Sequence, residues 1–77
     1  MKNYLVITAL GSDRPGIVDE LAKYITEHEC NIEDSRMSVL GGEFAIMLLV
    51  SGNWNKMAKM QDQVSALEQK LDMSITT

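Results

Sequence analysis

Between Gly11 and Val18 the chain reads Gly-Ser-Asp-Arg-Pro-Gly-Ile-Val, a turn of small and polar residues between an apolar run and an amphipathic stretch. The first N–H groups of a helix have no partner within it, and the helix dipole adds partial positive charge at the same end. A small molecule carrying a carboxylate could sit there. Pro15 suits the first helical position, where its missing N–H is not needed. Ser12 or Asp13 can cap the helix, and Gly16 keeps its first turn uncovered. These groups offer recognition of a small anion.

The elements that must position this turn follow from periodicity. Tyr4 to Leu10 is an apolar run that reads as a buried strand. Ile17, Val18, Leu21, Ala22 and Ile25 fall at helical spacing, with Asp19, Glu20, Lys23, Glu27 and His28 between them. From Cys30 to Leu40 the mixed Glu33-Asp34-Ser35-Arg36 stretch, then Met37 and Val39 alternating with Ser38, suits a strand with a wet side or a free edge. Gly41-Gly42 predicts a tight hairpin, and Phe44 to Val50, apolar on both faces, a central strand. Ser51-Gly52-Asn53 reads as a turn. Met57, Met60, Val64, Leu67 and Leu71 form the narrow seam of a second helix capped by Asn53 or Asn55. Residues 72–77 alternate as a last strand.

Right-handed crossovers and the Gly-Gly hairpin convert this order into an α+β fold, a ferredoxin-like βαββαβ sandwich. The two strands apolar throughout must be central, which gives an antiparallel sheet of order 4-1-3-2 with two helices on one face. Strand two is then an edge. The other face carries Tyr4, Val6 and Leu10 and calls for cover, because monomers rarely leave such a patch in water.

Composition narrows the function classes. Seventy-seven residues make one domain, which buries only about 60% of its unfolded surface. Seven basic against eleven acidic residues give a net charge of -4, which argues against direct contact with nucleic acid. Stacked RNA bases would need more aromatics on the central strands than Tyr4 and Phe44 supply. A lone cysteine, Cys30, allows no internal disulfide and no paired-cysteine metal site. Lys2 before an apolar stretch superficially resembles a secretory leader, but the run ends in charge and proline with no cleavage pattern, and no stretch could span a membrane. A cytoplasmic setting without cofactor or metal is the expectation.

The residues Leu5 to Gly11, Asp13-Arg14-Pro15-Gly16-Ile17-Val18, Asn31-Ile32 at the entry to strand two, and the Gly-Gly-Glu-Phe hairpin at 41–44 resemble the ACT domain, a small regulatory module that senses amino acids. Together with Asn31 to Arg36 and Ser51-Gly52-Asn53-Trp54-Asn55, they are similar to the N-terminal ACT domain of repressors of the glycine cleavage system. The resemblance covers nearly all of the chain. It implies that residues 1–77 are one ACT-like module of proteins that carry two in tandem. It also implies a non-catalytic role: sensing an amino acid such as glycine, pairing as a homodimer or with a second ACT domain, and controlling expression through another regulatory protein.

Amino-acid-binding ACT domains hold the ligand where the first strand-to-helix loop of one domain meets strand two of a neighbour. Carried onto this chain, Ser12, Asp13, Gly16, Ile17 and Val18 form one wall, with Asn31 and Ile32 at the other. Asp13 would accept from an α-ammonium, Gly16 and Ile17 would donate amides to a carboxylate, and Asn31 could do either. Arg14 could pair with a carboxylate. The plainer alternatives are that Asp13 only caps the helix, Asn31 only shapes a turn and Arg14 is a solvated side chain. His28 and Glu29 are expected at the surface, Cys30, Met57 and Met60 in the core, and Trp54 as a staple from helix two to the sheet.

Two other functions use the same elements. A ligand-independent pairing module would keep the edge and lose the pocket. An acylphosphatase-like hydrolase shares the topology and uses an Arg and an Asn, but the glycine-rich phosphate cradle is absent and Asp13 would repel phosphate.

Overall fold

In a computed structural model that describes residues 3–12 and 15–77, the first strand alternates strictly. Ile7 and Ala9 are buried under the helices while Tyr4, Val6 and Leu10 face outward. The elements are β1 (Asn3–Ser12), α1 (Ile17–Glu27), β2 (Asn31–Leu40), β3 (Glu43–Gly52), α2 (Trp54–Asp62), α3 (Val64–Leu71) and β4 (Met73–Thr76). The sheet runs β2-β3-β1-β4, the predicted order read from the other edge, and all its pairings are antiparallel. The βαββαβ expectation therefore holds, with its last helix in two pieces.

Register explains the core. Ile7 lies opposite Leu48 and Ala9 opposite Ile46, and these residues form one helix-side layer with Phe44 and Val50. Ile17, Leu21 and Ile25 of α1, Met57 and Met60 of α2, and Leu67 and Leu71 of α3 close over it. The Met-Leu seam thus lies where its spacing placed it. Gly41 and Gly42, at φ 55° and 86°, make the hairpin between β2 and β3, a turn that needs positive φ at both positions.

Several boundaries differ from the sequence expectation. Gly11 and Ser12 extend β1, and Ser51 and Gly52 extend β3, because cross-strand partners continue to Ser12 opposite Glu43 and Asn3 opposite Gly52. The second helix breaks at Gln63. The His28 ring lies across this break, its Nδ1 2.8 Å from the Tyr24 carbonyl and its Nε2 2.9 Å from Gln63 Oε1. His28 is accordingly half-buried rather than exposed, while Glu29 is exposed as expected. Trp54 is 65% exposed and staples nothing, since the first residue of α2 faces outward. Cys30 is buried beneath Gly52.

Candidate functional site

Helix α1 begins differently from the expectation. Pro15 lies in the turn, not in the first helical position, and Gly16 is the cap, at φ 83° and ψ 0°. An L side chain at that angle is strained, whereas a Cβ would meet nothing within 4 Å, so the backbone angle and not crowding is what requires glycine. Ser12 does not cap α1; it ends β1, and among the described residues no side chain caps that helix. Asp13 and Arg14 lie outside the described residues.

The open helix start adjoins the far end of β2. Gly16, Ile17, Val18 and Asp19 share a shallow depression of about 240 Å³ with Met37, Val39 and Phe44. The Ile17 side chain is core, leaving its amide as the group it can offer. Met37 and Val39 were not among the residues singled out for the site. Their place was readable from topology, because β2 runs parallel to β1 and must end near the turn that follows β1.

Asn31 and Ile32 start β2 at its other end. Nine steps of strand separate Asn31 from Leu40, about 30 Å at the usual rise. One copy of the chain therefore does not bring them to Gly16. Every residue of β2 is exposed, and among the described residues its outer row of N–H and C=O groups has no strand beside it. At this lower end the buried Ser51 hydroxyl donates to Glu33 Oε2, across an irregularity in register between Ile32 and Asp34. Sequence reading missed this pair.

A roomier cleft among the described residues, about 400 Å³, lies elsewhere, between α1 and α3. Glu20, Glu27, Lys23 and Lys70 line its rim, and its Tyr24 hydroxyl already donates to the Met60 carbonyl at 2.5 Å. Its rim charge is mixed and its hydroxyl is committed, so size alone does not make it the better site. Burial raises the Tyr24 hydroxyl above its ordinary pKa. Burial also raises the Cys30 thiol, assisted by the Glu29 charge and opposed by Lys56, so Cys30 stays protonated and poorly nucleophilic. Among the described residues no group of three His, Cys, Asp or Glu could hold a metal, and no helix is long and apolar enough to cross a membrane.

A family model described as the ACT domain matches residues 3–77. The chain belongs to the ACT domain family. This ACT domain is 45% identical over 74 residues to the glycine cleavage system transcriptional repressor of Escherichia coli K12, an alignment covering 96% of this chain and 39% of the relative. A crystal structure provisionally assigned as a glycine cleavage system transcriptional repressor superposes with TM-score 0.92 at 37% identity, covering 99% of this chain and 44% of that one. An ACT domain protein from Streptococcus pneumoniae superposes with TM-score 0.83 at 30% identity, covering 95% and 84%. The chain thus spans about two-fifths of the length of the curated repressor it matches.

Proposed function

We propose that this ACT domain is a non-catalytic sensor of a small amino acid, completed by a neighbouring domain, that takes part in controlling glycine cleavage system expression through a protein partner. The observation that carries the reading is the start of α1. Gly16, in the left-handed region, adds no side chain over the helix amides beside the exposed end of β2, and no side chain caps them among the described residues. Those amides suit a carboxylate. Ser12, Asp13 and Arg14 from the same turn would meet the remainder of the ligand, with Asp13 accepting from its ammonium group.

The other wall comes from a neighbour. Antiparallel pairing of two β2 edges about the middle of the strand sets the Asn31 end of one copy beside the Leu40 end of the other, next to that copy's Gly16. Asn31 and Ile32 then contribute in trans. The name of the E. coli relative supports glycine as the first ligand to try and transcriptional control as the setting. This chain's own net charge of -4 favours action through a protein rather than through direct contact with nucleic acid.

Isothermal titration with glycine, serine and the other amino acids tests the reading. Saturable heat with at least one of them, matched by a rise in melting temperature, is expected. Silence from all of them would overturn sensing. The exposed β2 edge would then favour the second reading, a ligand-independent pairing module whose sedimentation ignores amino acids.

A further inference from the structure

The sheet face turned away from the helices is apolar at its centre. Tyr4 is 60% exposed, Val6 48%, Leu10 53% and Met47 52%. Register aligns this face in rows across the sheet. Asp34, Leu49 and Val6 make one row, and Arg36, Met47 and Thr8 the next. The apolar centre is thus flanked on the β2 side by one acidic and one basic residue, a single row apart. Both are exposed, and among the described residues Arg36 makes no ion pair.

This arrangement complements itself under rotation. A two-fold axis lying across the strands, midway between the two rows, reverses the order of rows in the second sheet. Sheets packed face to face lie about 10 Å apart, within the combined reach of an arginine and an aspartate. Each Asp34 then faces an Arg36 and each Arg36 an Asp34. The same rotation sets Leu49 over Met47 and Tyr4 over Leu10, placing the large apolar side chains at the centre and the charges at the rim, as stable interfaces require.

We infer that a second copy of this chain stacks on the open face, sheet to sheet, held by the Met47–Leu49 centre and two reciprocal Asp34–Arg36 pairs. The self-complementary order of the rows favours a copy over an unrelated partner. In the S. pneumoniae protein the same fold occupies 84% of the chain, too much to leave room for another domain. In the longer relatives a second domain could take the copy's place. The centre of this surface lies on β1 and β3, away from the β2 edge used in the proposed function, so Met47 and Val6 report on it alone, whereas Asp34 and Arg36 stand on the strand the two surfaces share.

Sedimentation equilibrium on the full chain tests the inference. Met47→Lys and Val6→Lys sit on central strands, where an edge-to-edge dimer would leave them in solvent. Each should halve the assembled mass while far-UV circular dichroism stays unchanged, because both sites are about half exposed and outside the core. Arg36→Asp places acid against acid and should weaken association about ten-fold or more. The double exchange D34R/R36D should restore it. A wild-type monomer would overturn the inference and leave a companion domain as the occupant. Undiminished mass in Met47→Lys, or an exchange that fails to restore what Arg36→Asp removes, would overturn it equally.

Discussion

The chain starts its two helical arms in opposite ways. At α2 the Asn53 side chain accepts from the Asn55 N–H at 2.8 Å, so the first turn is closed by the chain's own residues. At α1 the cap is Gly16, with a left-handed backbone and no capping side chain among the described residues. Both helices follow a strand, and both cover the same sheet face. The difference lies in how each end is closed: α2 is capped by a side chain, whereas among the described residues the first amides of α1 meet no capping side chain.

Breaking the open end gives the largest effect. Gly16→Val forces a β-branched residue to φ 83° and should cost about 1–3 kcal/mol of stability, read as a shift in urea midpoint, together with the amino-acid response. Next, Asn53→Ala should cost about 1 kcal/mol by the same measurement, yet leave the titration with amino acids unchanged. Loss of response in that variant would show that the closed end also matters to the site. Gly16→Asn, a residue that tolerates the left-handed region, should lose under about 1 kcal/mol and retain part of the response. The smallest structural effect belongs to Asn31→Ala at the exposed strand start, within about 0.5 kcal/mol of the parent. Its heat of binding should nonetheless fall if the neighbour's β2 completes the pocket.

Tyr24 sharpens the contrast from the closed side of the molecule. Its hydroxyl pKa is raised by burial, so the unfolded chain gives up that proton more readily than the folded one. Stability should be fully present below the ordinary tyrosine pKa and decline as pH rises above about 10. Tyr24→Phe should flatten that decline, measured by chemical denaturation across the alkaline range, and should lower neutral-pH stability by about 1 kcal/mol through the lost bond to Met60.

Topology was legible because a few residues carried it. Two strands apolar on both faces had to be central, Gly41-Gly42 fixed the hairpin, and the seam from Met57 to Leu71 needed a buried groove. The break at Gln63 was not legible, since the seam keeps its spacing across it, and what marks the break is a histidine at the C-terminal end of α1. Trp54 misled by its size, because hydrophobicity does not tell which way the first residue of a helix points. Pro15-Gly16 is compatible both with a proline-led helix and with a turn capped by glycine, and the backbone angle decides between them. The turn that opens the candidate site was legible as a turn. Its Met37 and Val39 lining required the direction of β2 as well as its residue types.

Glu33 occupies the irregularity in β2, where Ile32 pairs with Val50 and Asp34 already pairs with Leu49. One supernumerary residue therefore resets the phase of the strand. Counted from Ile32 by strict alternation, Asp34 and Arg36 would point at the helices and Met37 and Val39 away from them. Phase correction puts the charges on the open face and the apolar pair beside Gly16. A relative one residue shorter at position 33 would keep every other pairing while losing the carboxylate over Ser51. A deletion further along, between 35 and 40, would exchange the two faces of the strand. Length variation in this strand thus carries more information about both surfaces than substitution at any single position along it.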